Sequence, residues 1–157
     1  MGIITRTKLA NGLTVLLEEN HEAPVISMNL WVNVGSAQET SQEAGLSHLI
    51  EHMLFKGTLK RRVGEIAREV ESVGGDINAY TSFDETVYYI NMASRFYARG
   101  LDILADAAVN SQFDPEELAR EKEVVVEEIS RSEDNPGRLV GEHLFKKAFV
   151  KHPYGRP

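Results

Sequence analysis

The chain has 157 residues, 42% of them hydrophobic, so it is long enough for one compact domain and too short for two. It carries 17 basic and 24 acidic residues, a net charge of −7, which argues against nucleic acids and anionic membranes as partners and weakly favours basic peptides. The absence of cysteine excludes disulfides and thiolate metal sites, so any metal must be bound by nitrogen and oxygen. Because no signal-peptide core and no apolar run of about 18 residues occurs, a cytoplasmic protein is expected.

The first half of the chain predicts a hairpin, a strand and two helices. Asn11-Gly12 predicts a tight β-hairpin turn, because this pair tolerates the positive φ angles that such a turn needs. From Val25 to Val34 apolar and polar residues alternate, which is typical of a strand with one buried face. Helices are predicted from Leu46 to Phe55 and from about Val63 to Val73, where Gly74-Gly75 supplies a C-terminal stop.

The second half predicts a strand pair followed by three helices. The segments DINAYTS (76–82) and ETVYYINM (85–92) are rich in β-branched residues and tyrosine, which favours strands. A helix capped by Ser94 is predicted to run to about Gln112. Its predicted inward positions are Tyr97, Leu101, Leu104, Ala105 and Ala108. Asp114-Pro115 begins the next helix, which ends near Asp134, and the sequence NPG separates it from a last helix that ends near Val150.

Together these elements predict an α+β domain with a mainly antiparallel sheet and helices packed on one face. No strand or helix is predicted in the final HPYGRP. We therefore expect residues 1–157 to form a single domain that is truncated at its C-terminal end.

The pattern His48-Leu-Ile-Glu51-His52 places reactive side chains on one turn of the first helix. Residues four apart project from the same helix face, so His48 and His52 can bind one metal ion. Glu51 lies beside that line, where it can take a proton from a water that the metal has acidified. The order inverts the familiar His-Glu-x-x-His of metalloproteases. The alternative is a structural helix whose buried, neutral histidines bond to backbone carbonyls.

A catalytic zinc also needs a third protein ligand, which in a chain without cysteine is Glu, Asp or another His. The helix that begins after Asp114 is rich in glutamate, and most of these carboxylates must face solvent. Glu121 and Glu128 lie seven residues apart on the side that adjoins the apolar stripe, so geometry favours them over Glu123. Spacing alone does not choose between the two, and either can be an ordinary exposed or salt-bridged carboxylate.

Three segments together resemble the pitrilysin family of inverzincin metallopeptidases, which includes insulin-degrading enzyme and the mitochondrial processing peptidase. They are His48-Leu-Ile-Glu51-His52, GGDINAYTSFDETVYY (74–89) and EKEVVVEEI (121–129). The resemblance implies a zinc-dependent endopeptidase that hydrolyses unfolded peptides, with Glu51 as general base and one Zn²⁺ per chain. The family's third ligand is a glutamate about 76 residues beyond the second histidine, and 128 − 52 = 76. The resemblance therefore implies Glu128 as the ligand and Glu121 as a supporting carboxylate.

The resemblance also implies where substrate binds and what completes the site. Family members bind peptides as an added strand on a sheet edge, here through Asn78 and Ala79, and Phe55 would line the pocket beside the scissile bond. Phe55 can instead belong to the core, and Gly74-Gly75 can simply cap a helix. A C-terminal domain or a homologous partner subunit would complete the cleft. Because the family also contains subunits without the motif, a non-catalytic scaffold is the alternative function. The remaining histidines, at positions 21, 143 and 152, are expected at the surface.

Overall fold

The computed structural model of the protein describes residues 3–156, and within them it contains five strands and five α-helices. The strands are β1 (Ile4–Lys8), β2 (Thr14–Glu18), β3 (Val25–Val32), β4 (Asp76–Thr81) and β5 (Thr86–Ala93). The helices are α1 (Leu46–Leu54), α2 (Glu65–Glu71), α3 (Tyr97–Asn110), α4 (Pro115–Glu133) and α5 (Pro136–Ala148). None of these helices combines the length and apolarity that crossing a bilayer requires.

The five predicted strands are present, but they form two separate antiparallel sheets. β1 and β2 make an exposed hairpin, and the other strands form a sheet with the order β3-β5-β4. The predicted hairpin with its turn at Asn11-Gly12 is confirmed. Leu9 pairs with Leu13 across a three-residue loop in which Gly12 alone of the Asn-Gly pair has a positive φ, of 91°. This is the common three-residue hairpin with glycine in the left-handed conformation.

One face of the β3-β5-β4 sheet packs against the helices and forms the core. The central strand β5 contributes most to it, because it is covered by a neighbour on each side as well as by the helices. Met28 of β3 and Ile90 of β5 are cross-strand partners in this core, and Ile66 and Val70 of α2 pack on them. An α+β fold with helices on one side of an antiparallel sheet is therefore confirmed.

The predicted inward face of α3 is confirmed only at Leu104. Tyr97, Leu101, Ala105 and Ala108 are exposed instead. The buried positions are Gly100, Ile103, Leu104, Asp106 and Ala107. Gly100 explains the rotation, because a Cβ atom there would lie 2.1 Å from the Cε of Met28, so the helix approaches the sheet through its glycine. Ser94 is not a side-chain cap, since a short 3₁₀ turn at Ser94–Phe96 leads into the helix.

The predicted helix ends are largely confirmed. Asp114 accepts hydrogen bonds from the backbone N–H groups of Glu116 and Glu117, and Pro115 takes the first position of α4. α2 is shorter than predicted but ends where expected. The N–H of Gly75 bonds to the carbonyl of Val70, and Gly74 has a φ of 73°, the arrangement of a Schellman motif.

Candidate metal centre

The histidine-bearing helix α1 is held at both of its ends and along its length. Its first N–H groups are satisfied from the preceding loop, where the two carboxylate oxygens of Glu39 accept from Gly45 and Ser47 at 2.8 and 2.7 Å. The helix then packs against β4 on one side and α4 on the other. This places the histidine face of α1 opposite the glutamate-rich face of α4.

His48, His52 and Glu128 converge on one point although Glu128 is remote in sequence. The Nε2 atoms of His48 and His52 lie 3.2 Å apart, and each is 3.5 Å from Oε2 of Glu128. All three side chains are partly buried, with exposed fractions of 36%, 17% and 44%. They are the sole His, Asp or Glu group with metal-ligand geometry among residues 3–156.

The spacing of these three atoms fits a tetrahedral zinc ion. With metal–ligand bonds of about 2.0–2.1 Å, two ligand atoms of a tetrahedron lie about 3.4 Å apart. The observed separations of 3.2, 3.5 and 3.5 Å bracket that value. Two imidazole nitrogens and one carboxylate oxygen are also a donor set that zinc accepts, with a fourth position left for water or substrate.

Glu121 stands behind His52 rather than at the point where the three ligand atoms meet. Its Oε2 lies 3.0 Å from Nδ1 of His52, while its Oε1 lies 2.6 Å from Nζ of Lys56. A carboxylate at Nδ1 favours the tautomer with a proton there, which leaves the Nε2 lone pair free for a metal. Burial opposes the charge of Glu121, but hydrogen bonds from Lys56 and His52 outweigh it and lower the pKa of this carboxyl.

Glu51 points from α1 toward the edge strand. Its Oε2 accepts a 2.6 Å hydrogen bond from the hydroxyl of Thr81 at the end of β4. The negative charge of Glu51 also acts electrostatically on the neighbouring core residue Tyr88. Burial, and secondarily the charge of Glu51, raise the pKa of Tyr88 to about 12.

The residues predicted to contact substrate lie on β4, which packs against α1, and directly after the end of α1. Asn78 and Ala79 are on β4, which pairs only with β5 and is an edge strand of the described sheet. Asn78 is exposed, and its own side-chain oxygen accepts from the N–H of Ala79 at 2.9 Å. Phe55 is half-buried, packs against the core and meets Tyr88 edge to face at a ring separation of 5.6 Å.

Two residues at the site were not singled out from the sequence, Lys56 and Thr81. A signal for each was available: Lys56 directly follows the predicted helix of the two histidines, and Thr81 lies within the predicted strand segment DINAYTS (76–82). The other three histidines, at positions 21, 143 and 152, are exposed as predicted.

An antiparallel α+β domain that presents two histidines of an inverted motif and a distant glutamate resembles the metallopeptidase class of proteins. A family profile described as Insulinase (Peptidase family M16) matches residues 14–157. The chain belongs to this family, as the resemblance of its motifs predicted.

Individual relatives agree with this assignment. The chain is 42% identical over 151 residues to an uncharacterised zinc protease of Rickettsia felis, covering 96% of this chain and 37% of that protein. Among solved structures it is similar to a protease from Helicobacter pylori, with a TM-score of 0.92 and 30% identity over 99% of this chain and 38% of the other. A structure described as a peptidase M16 inactive domain from Pseudomonas fluorescens gives a TM-score of 0.85 and 28% identity, covering 98% of this chain and 38% of that one. The chain thus spans less than two fifths of each of these proteins.

Proposed function

We propose that the chain carries the zinc-binding part of a metalloendopeptidase that hydrolyses unfolded peptides. The observation that supports this most directly is the triangle of His48, His52 and Glu128 ligand atoms, whose sides match a tetrahedral zinc site. In this proposal those three residues hold one Zn²⁺ and Glu121 orients His52 from behind. Zinc, when bound, would polarise the scissile carbonyl and lower the pKa of a water toward neutrality.

The protein's own residues would supply the proton transfers and the positioning. Glu51 accepts a proton from the attacking water and then delivers it to the nitrogen of the leaving amine, so that proton and charge balance over the cycle. Thr81 holds one oxygen of Glu51, which restricts the directions that this carboxylate can take. General acid–base catalysis of this kind contributes about 10²–10⁴-fold to rate.

The substrate would add to the sheet at β4. Asn78 and Ala79 lie on that edge strand, whose main-chain groups can pair with an extended peptide. We place Phe55 beside the scissile bond because the family resemblance implies that role, although its ring packs on Tyr88. Because the chain covers 37–38% of its relatives, we further propose that residues 1–157 are one domain and that a C-terminal domain or a homologous subunit completes the cleft. A cytoplasmic location stays a prediction.

A second function, a zinc-binding or scaffolding domain without peptidase activity, is favoured by one finding. The similar Pseudomonas fluorescens structure is described as an inactive domain. The complete His48-Leu-Ile-Glu51-His52 motif in this chain favours the catalytic alternative.

The test is zinc affinity together with cleavage of an unstructured basic peptide, measured for the wild-type chain and three variants. Glu51→Gln should bind zinc as wild type does and lose about 100-fold or more of the cleavage rate. Glu128→Gln should bind zinc at least about 100-fold more weakly, because even losing a supporting partner costs about 10–100-fold. Glu127→Gln is the matched control, since Glu127 is exposed and pairs with Arg131 instead.

Each outcome bears on a different part of the proposal. Unchanged zinc affinity in Glu128→Gln would refute its assignment as a ligand. Stoichiometric zinc in the wild type without cleavage, both by the chain alone and by the full-length protein, would favour the scaffolding function. Failure of the wild type to bind zinc would refute the metal centre itself.

A further inference from the structure

The contact between Lys56 and Glu121 has no part in the proposed zinc binding or proton transfer. Lys56 follows the C-terminal end of α1, and its Nζ atom lies 2.6 Å from Oε1 of Glu121 on α4. The Glu121 side chain is only 8% exposed, whereas Lys56 is 34% exposed. The other oxygen of Glu121 lies 3.0 Å from Nδ1 of His52. Both oxygens of a buried carboxylate are therefore occupied, one by a cation and one by a residue of the ligand cluster.

We propose that Lys56 is a positioning residue of the metal centre. By holding Oε1 it fixes the rotation of the Glu121 carboxylate, so that Oε2 stays directed at Nδ1 of His52. That contact in turn holds the imidazole with its Nε2 atom toward His48 and Glu128. The inference rests on the proposed zinc site, and it extends the site by one residue beyond the motif.

The segment that carries Lys56 is itself fixed, which a positioning residue requires. The N–H of Lys56 bonds to the carbonyl of Met53 at 3.0 Å, and the next residue, Gly57, accepts from the N–H of Gln112 at 3.1 Å. Thr58 then donates its hydroxyl to the buried Asp106 at 2.6 Å. Hydrogen bonds thus hold the backbone on both sides of Lys56, so the position from which its side chain reaches Glu121 is fixed.

If Lys56 acted only through its charge, removing it would tighten zinc binding rather than weaken it, because a cation near a metal ion repels that ion. Lys56 is one third exposed, however, and water screens such a charge at the distance of the metal, beyond Glu121 and the His52 ring. The hydrogen bond to Glu121 is direct and is not weakened in that way. Orientation should therefore dominate, and the sign of the change in zinc affinity separates the two effects.

The experiment measures the zinc dissociation constant of the metal-free chain by competition with a chromophoric chelator. Lys56→Met should weaken zinc binding about 10-fold, the usual scale for a group that orients a ligand. Lys56→Arg should retain affinity within about threefold, because a guanidinium can donate to the same oxygen. Lys60→Met is the control: it removes the same charge four residues further on, where Lys60 is exposed and faces Asp102 at 3.7 Å.

Thermal unfolding of the metal-free proteins shows whether any variant has lost its fold. If Lys56→Met misfolds, Lys56→Gln, which keeps a neutral donor, takes its place with an expected loss of between twofold and tenfold. Folded Lys56→Met that binds zinc as tightly as wild type, or more tightly, would overturn the proposal, as would an equal loss in Lys60→Met. The wild-type measurement stands apart from these outcomes, since absence of zinc binding there would refute the metal centre rather than the role of Lys56.

Discussion

Replacing Arg61 by methionine should be among the most damaging single changes to this domain outside the ligand cluster. The Arg61 guanidinium contacts three carboxylates, with Nη1 at 2.6 Å from Asp106, Nη2 at 2.6 Å from Asp102 and Nε at 3.1 Å from Glu69. These contacts join the segment after α1 to both α2 and α3.

The expected magnitude follows from the exposure of each partner. Asp102 and Glu69 are 53% and 39% exposed, so water compensates them and their pairs with Arg61 contribute little to stability. The Asp106 side chain is 1% exposed, and leaving a buried charge unpaired costs about 3–5 kcal/mol. Thr58 and Asn110 still donate to Asp106, which places the loss near the lower end, about 3 kcal/mol. That is a large part of the roughly 5–15 kcal/mol by which domains are stable.

Urea unfolding followed by circular dichroism measures this loss as a fall in the free energy of unfolding. Lys60→Met, which also removes a cation beside Asp102, should cost less than about 1 kcal/mol. Adding Asp106→Leu to Arg61→Met should recover part of the stability, because the buried charge is then gone. An Arg61→Met protein within about 1 kcal/mol of wild type would refute the reasoning, since it would mean that Asp106 is neutral or solvated in the folded state.

Two further changes test the surroundings of the site. Burial and the charge of Glu51 raise the pKa of Tyr88 to about 12. The folded protein therefore keeps this phenol protonated where the unfolded chain ionises it, so the free energy of unfolding is unaffected below about pH 10 and falls as the pH rises toward 12. Tyr88→Phe should remove about 3 kcal/mol of this alkaline loss, and a pH-stability curve unchanged by the substitution would contradict the assignment. Asp114→Ala should lower the free energy of unfolding by about 1 kcal/mol, and Asp114→Asn should lower it by much less, because the asparagine oxygen can still cap α4. Thermal unfolding of both variants measures this difference. Equal losses would show that the cap is not the cause.

The first two residues of the proposed metal centre could be predicted from the sequence because they belong to one helix. A spacing of four residues puts His48 and His52 on the same face whatever the rest of the chain does, and their Nε2 atoms do meet at 3.2 Å. Glu128 is different, because geometry narrowed the choice only to Glu121 or Glu128. The resemblance to a family assigned the two roles. In the structure one carboxylate lies at the ligand cluster and the other lies behind His52.

Errors in the predicted core arose where packing, rather than local pattern, decided the outcome. Apolar residues occur on more than one side of α3, and the predicted inward positions included Tyr97 and Leu101. The sheet instead receives the face with Gly100, where the missing side chain lets Met28 approach. Helical periodicity shows that an apolar face exists, but shape complementarity to the partner surface selects which face is buried.

The sequence by itself determined the α+β class, most element boundaries, and the placing of Glu51 between His48 and His52 on one helix, because each depends on residues that are close in the chain. Only the tertiary structure decided which glutamate oxygen joins the histidines, how Lys56 and Thr81 hold the two carboxylates at the site, and which face of α3 enters the core. Those contacts span from 30 to 80 positions of sequence, as between Glu51 and Thr81 or His48 and Glu128. No local propensity encodes such distances, since they depend on how α1, α4 and β4 pack against one another.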